Sequence, residues 1–191
     1  KNTIPTKIAL AEFDSIHHMM LQAERGGDFI FHDIYKSSMI LIESLEPGHS
    51  FKVISNLTKP FYWRSGKVMS EHAAINIKQA QRGIKIERIF VFDKKEDFEV
   101  MKEIMEEQKN SGIQVLYTTK EKLFGVLGYA SFAISEELNA GIISHRDDLL
   151  GKVTVTSNPE IINTLSETFD EVRRLSEHFI LDGRLAISGD S

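Results

Sequence analysis

Apolar residues recur along this chain first at helical and then at strand spacing. Phe13, Ile16, Met20 and Ala23 are three and four apart, which predicts a helix with one buried stripe, stopped by Gly26-Gly27. Ile34, Met39, Ile42 and Leu45 repeat the pattern over about 33–46, ending at Pro47-Gly48. From residue 50 the period changes. "SFKVISN" (50–56) alternates around Phe51 and Val53 and reads as a strand. Residues 66–83, rich in Ala, Gln and Lys, read as a helix ending at Gly83. "IKIERIFVFD" (84–93) reads as a strand whose apolar second half suits a central position covered on both sides.

The later segments continue the alternation. Phe98, Met101 and Met105 share one face of a helix over 95–112, stopped by Gly112. Residues 113–118, 129–137, 139–144 and 152–157 read as strands, with a hairpin around Leu138-Asn139. Ser157-Asn158-Pro159-Glu160 offers a capping box with proline in the first turn. Ile161, Leu165, Phe169, Val172, Leu175 and Phe179 then form the stripe of a final helix. The order predicts an α/β fold: a mixed, mainly parallel central sheet flanked by helices on both faces, with an N-terminal helical pair. The expected layout is a single domain, with helices in 1–47, an α/β core in 48–180 and a polar tail in 181–191.

Composition narrows the function. A chain of 191 residues with 41% hydrophobic and 27% charged residues is an ordinary globular one, long enough to bury about 70% of its unfolded surface. The absence of cysteine excludes disulfides, thiolate metal sites and cysteine nucleophiles, and fits a cytoplasmic location. The apolar runs fall far short of the roughly 18–20 residues that cross a bilayer, so no membrane partner is expected. Lys1 in place of an initiator Met reads as an excised piece of a longer regulatory protein. Net charge −5 argues against direct nucleic-acid binding by this chain, because phosphate neutralisation needs a basic face.

That average conceals a reversal. Residues 59–85 carry six cations against the single acid Glu71, a local charge of +5 in a background of −10. The segment opens with "SNLTKPFYWRSGK" (55–67), which holds the chain's single tryptophan and follows a strand. In open α/β sheets ligands gather beyond the carboxyl ends of strands, here 55–64, 93–97 and 118–123. The candidate ligand-binding residues are therefore Ser55, Asn56, Thr58, Lys59, Tyr62, Trp63 and Arg64. Ser55, Asn56 and Thr58 would hydrogen-bond the ligand, Arg64 would offer a planar fork to an anion, and Tyr62 or Trp63 a stacking wall. The plainer alternative is that Phe61, Tyr62 and Trp63 plug the edge of the core while Lys59 and Arg64 stay solvated.

Familiar catalytic and cofactor motifs are missing. There is no glycine-rich phosphate loop, no G-x-S-x-G elbow and no H-E-x-x-H, so no cofactor, metal ligand or catalytic residue is assigned. His17-His18 point apart on a helix, and Glu71-His72 and Glu177-His178 read as solvated helix faces. "SHRDD" (144–148) reads as a polar turn more readily than as a catalytic cluster.

The run "VISNLTKPFYWRSGK…NIKQAQRGIKIERIFVF" resembles the strand–helix–strand opening of phospholipase D-like domains, and "DEVRRLSEHF" is similar to their closing helix. The resemblance covers about residues 48–180. That family's catalytic signature is H-x-K-x-x-x-x-D, in which the His attacks phosphorus and the Lys holds the phosphate. The nearest match begins at His145, with Asp147 where the Lys belongs and Lys152 where the Asp belongs. The resemblance thus implies a catalytically degenerate member, such as serve as sensing or dimerising modules of regulators. The expectation is a non-enzymatic regulatory or sensory domain in signalling, binding a small anionic molecule or a protein partner. The alternatives are a phosphodiester or other hydrolase with a non-standard site, and a homodimerisation module.

Overall fold

The computed structural model describes residues 27–31, 33–126, 131–144 and 153–180, together with Ile4, His17, Met20 and Leu21. The predicted helix around residues 13–23 falls almost wholly outside these, as do the "SHRDD" turn after Ser144 and the tail 181–191.

Among the described residues eight strands form one sheet: β1 Phe29–Phe31, β2 Ser50–Ser55, β3 Lys85–Phe92, β4 Gln114–Thr119, β5 Ser131–Ser135, β6 Ala140–Ser144, β7 Val153–Thr156 and β8 Glu177–His178. Their spatial order is β1-β7-β6-β5-β2-β3-β4-β8. Among these described strands β2/β3 and β3/β4 pair in parallel, and the other five pairings are antiparallel. The expectation of a mainly parallel sheet is therefore corrected. The helical connections that follow β2 and β3 do make parallel neighbours. However, β5 returns beside β2 instead of continuing outward from β4, and short connections then propagate antiparallel pairing through β6 and β7.

The α-helices whose bounds lie among the described residues are α1 Ile34–Glu43, α2 Phe61–Arg64, α3 Lys67–Gln81, α4 Asp97–Asn110 and α5 Pro159–Arg174. Asp33 caps α1 by accepting from Lys36 N at 2.9 Å. At α5 the cap is Asn158, which accepts from Glu160 N at 2.9 Å with Pro159 in the first turn. Gly66, at φ +80°, separates α2 from α3 in a conformation that other residues rarely adopt.

Apolar side chains gather in two clusters, and β3 feeds both. Phe90 and Phe92 join Leu41 and Ile42 of α1, Trp63 of α2 and Met101 and Met105 of α4. The alternating residues Ile89 and Val91 join Leu165, Phe169 and Val172 of α5. The stripe of α5 ends earlier than its spacing suggested. The helix stops at Arg174, Leu175 is partly exposed, and Phe179 packs in the first cluster against Phe98. A short β8 on the edge of β4 explains the break.

Candidate functional site

β2 ends at Ser55, and a short turn delivers Leu57, Thr58 and Lys59 to the single helical turn of α2. The predicted binding segment divides here. Trp63 turns inward, 2% exposed, and its Nε1 donates to Leu57 O at 2.8 Å. Ser55 and Thr58 are buried as well, and Ser55 Oγ accepts from Leu57 N at 3.3 Å. Tyr62 is half-buried, and its carbonyl accepts from Tyr35 Oη at 3.3 Å. Asn56 is half-buried too, and its carbonyl accepts from Thr58 N at 2.8 Å. Lys59 and Arg64 remain at the surface, where Arg64 Nη1 donates to Glu103 Oε2 at 3.1 Å. The two cations and the aromatic wall thus lie on different sides of α2.

Behind Trp63 is a polar group that the sequence reading did not identify. Arg88, central on β3, is 1% exposed. Its Nη1 donates to Gln108 Oε1 on α4 and its Nη2 to Asn76 Oδ1 on α3, both at 2.7 Å. Both partners are neutral amides, and no carboxylate pairs with this guanidinium among the described residues. Its Nε has no hydrogen-bond partner. The Trp63 ring lies over the guanidinium, 4.9 Å from centroid to Cζ, a contact that contributes about 2 kcal/mol when desolvated. Burial pushes the Arg88 pKa down to about 9, so the group stays a cation at neutral pH.

His72 on α3 completes the group. It is buried, which corrects the expectation that Glu71-His72 is a solvated helix face. Its Nε2 is 3.3 Å from Ser38 Oγ, and its Nδ1 has no partner. Its ring packs against Tyr35 at 5.2 Å and Trp63 at 5.7 Å. Burial, reinforced by the charge of Arg88, lowers its pKa to about 3, so the imidazole is neutral at physiological pH. Desolvation first, then Tyr62 and Asp33, raises the Tyr35 phenol to about 12, so it too is neutral.

These groups line a cavity of about 50 Å³. Its remaining polar wall is a row of serines on three adjacent strands. Ser131 and Ser144 are cross-strand partners, and Ser55 lies one residue beyond the Ile54–Phe132 pair. The cavity therefore holds one buried cation, a neutral imidazole and hydroxyls within otherwise apolar walls. Of the predicted site residues, Ser55 and Trp63 line it, while Asn56, Thr58, Lys59, Tyr62 and Arg64 do not. One signal for Arg88 was present in the sequence: it stands in the inward row Ile86, Arg88, Phe90, Phe92. The separation of four between His72 and Asn76, on one helix face, was another.

Two outer grooves have balanced charges. The one at the carboxyl edge of β3 and β4, about 450 Å³, contains Lys122 paired with Glu177 at 2.7 Å, next to a Lys120–Asp93 pair at 2.7 Å. The α3–α4 groove, about 510 Å³, is bordered by the Arg64–Glu103 pair. Among the described residues no group of His, Asp and Glu is arranged to hold a metal ion. No helix among them is long and apolar enough to cross a membrane.

No protein-family model matches the chain, and no curated protein does. Solved structures share its fold. TrmBL2, an archaeal chromatin protein described with a novel mode of DNA binding, aligns with a TM-score of 0.52 at 13% identity, over 92% of this chain and 65% of that one. Polyphosphate kinase from Porphyromonas gingivalis aligns with a TM-score of 0.52 at 15% identity, over 78% of this chain and 26% of that one. Nuc, a phospholipase D family member from Salmonella typhimurium, aligns with a TM-score of 0.52 at 9% identity, over 81% of this chain and 99% of that one. The chain thus spans about two thirds of the chromatin protein and about a quarter of the kinase. These likenesses, one of them to a phospholipase D family member, concern the fold alone. They also correct the exclusion of nucleic acid. A net charge of −5 was its ground, yet a protein described as binding DNA shares the fold. Net charge is an average over the surface and does not report the sign of any one face.

Proposed function

We propose that this chain is a non-enzymatic regulatory or sensory domain, built as a catalytically degenerate phospholipase D-like unit, that binds a small anionic ligand in the cavity behind Trp63. The observation that carries the reading is Arg88. A guanidinium removed from water costs several kcal/mol unless a counter-charge meets it, and among the described residues two amides and the Trp63 ring do instead. A ligand carrying negative charge would supply the counter-charge that is missing among the described residues. The site lies inward of the predicted one and keeps its Ser55 and Trp63. Arg64, engaged with Glu103 at the surface, belongs to the outer face of the same turn.

Degeneracy rests on the sequence around His145, where Asp147 replaces the phosphate-holding lysine and would repel a phosphodiester. Signalling and a cytoplasmic setting fit a cysteine-free ligand-binding module. A ligand bound only by the folded state raises the melting temperature by mass action. Thermal melts should be run against a broad panel of anions, from formate and acetate to sugar phosphates, with glycerol and glucose as neutral controls. At least one anion should give a saturable rise that the neutral compounds do not. The same preparation should not turn over bis(p-nitrophenyl) phosphate. A melting temperature indifferent to every anion, or diester turnover abolished by His145→Ala, would contradict the reading.

A further inference from the structure

A second surface, independent of the cavity, lies over α3 and α4. The two helices cover the same face of the sheet and leave between them the open groove of about 510 Å³. Its floor includes Ala74, Ile77 and Ile104, and its walls carry Lys78 on α3 and Glu107 on α4. Neither of those two charges forms an ion pair among the described residues. Apolar groups also stand exposed beside the groove. Val100, on the side of α4 that carries Glu103 and Glu107, is 60% exposed, and Phe61, one turn before Arg64, is 59% exposed.

Charge is sorted across this face. Residues 64–85 carry five cations against the single acid Glu71, whereas α4 carries five acids against Lys102 and Lys109. A polyanion laid along the groove would meet Glu103 and Glu107 as well as the cations. A partner that suits both halves presents the same two signs in exchanged positions, and a second copy of this chain does so.

Symmetry fixes how. Each helix connects two parallel strands, so α3 and α4 run in the same direction. A two-fold axis across the helices would set α3 on α3 and α4 on α4, like charge on like. An axis along the groove sets α3 of each copy on α4 of the other and leaves heights along the helices unchanged. Arg88 gives those heights, because it bonds Asn76 of α3 and Gln108 of α4. Lys67 and Glu99 each lie nine residues before those two and so share a level. Lys78 and Glu107 differ by about 4.5 Å of helical rise, within reach of a lysine side chain.

We infer that the α3–α4 face is the interface of a two-fold homodimer, in which Lys67 and Lys78 of each copy oppose Glu99 and Glu107 of the other around an apolar centre of Ala74, Ile77 and Val100.

The test is sedimentation equilibrium of the 191-residue chain from micromolar to near-millimolar concentration, where a reversible monomer–dimer equilibrium is expected. Lys78→Glu and Glu107→Lys each reverse a contact that the two-fold repeats, and each should weaken association roughly tenfold. Both residues are exposed, so their melting temperatures should stay at the wild-type value under conditions that keep every protein monomeric. An equimolar mixture of the two variants sets opposite charges against each other again, as does the double variant Lys78→Glu/Glu107→Lys. Both should recover most of the lost affinity. A chain that stays monomeric at every concentration would overturn the inference. So would a dimer indifferent to both single variants, or losses that neither the mixture nor the double variant recovers. A monomer that retards duplex DNA, and no longer does so after Lys78→Glu, would assign the face to nucleic acid and overturn it too.

Discussion

His72 illustrates how burial decides what a side chain does. On sequence it is one polar residue of a lysine-rich helix, but α3 turns it inward against Tyr35, Trp63 and the charge of Arg88. With its pKa near 3 in the folded state and about 6.5 when unfolded, the unfolded chain takes up a proton first as the solution is acidified. The depressed folded value means that stability is intact above about pH 6.5 and declines as the pH falls toward 3. The slope from this residue is about 1.4 kcal/mol per pH unit. Urea melts of wild type and His72→Phe at pH 5.5 and 4.0 should differ by that slope, with the variant less sensitive to acid. Parallel losses in the two proteins would mean that the imidazole is reached by solvent. Trp63 was expected either as a stacking wall for a ligand or as a plug of the core edge, and it is buried. The sequence places it after a strand in a basic stretch, yet consecutive residues of a helix point about 100° apart, so Trp63 turns inward while Arg64 stays at the surface. Side-chain direction within such a turn depends on where α2 begins, and Pro60 alone does not determine that.

At the scale of elements, α5 depends most on its buried face. Ile162, Leu165, Phe169 and Val172 are all buried against strands β2, β3 and β5, each contributing about 1.5–3 kcal/mol. Phe169→Ala should destabilise the domain by about 3–5 kcal/mol, as large core truncations do. A loss under about 1 kcal/mol in denaturant melts would mean that the helix is not packed as described. This helix was legible because its period, its Asn158 cap and Pro159 agree, although Leu175 and Phe179 belong to the segment beyond it. β1 and β8 were not legible. Three residues and two residues carry too little alternation to register, and both exist because neighbouring edges, β7 and β4, offer unpaired backbone groups.

For the whole molecule, the α/β class followed from the change of hydrophobic period, but the balance of the sheet did not. Local patterns specify strands, while their order is set by long-range pairing, and here β5 lies against β2 rather than outside β4. That placement matters for the site. It brings Ser131 and Ser144 beside Ser55 and closes the wall opposite α1 and α3 around Arg88. A sheet with β5 outside β4 would separate these serines from Arg88. The segment 55–64 was singled out from its charge and position. The buried group of Arg88 and His72 needed tertiary contacts between β3, α3 and α4 to become visible. The proposed anion would complete this buried cation. The anomalous difference map of a crystal soaked in sodium bromide tests this directly. A bromide is expected in the cavity beside the Arg88 guanidinium. A cavity that contains only water while bromide occupies surface sites would contradict it.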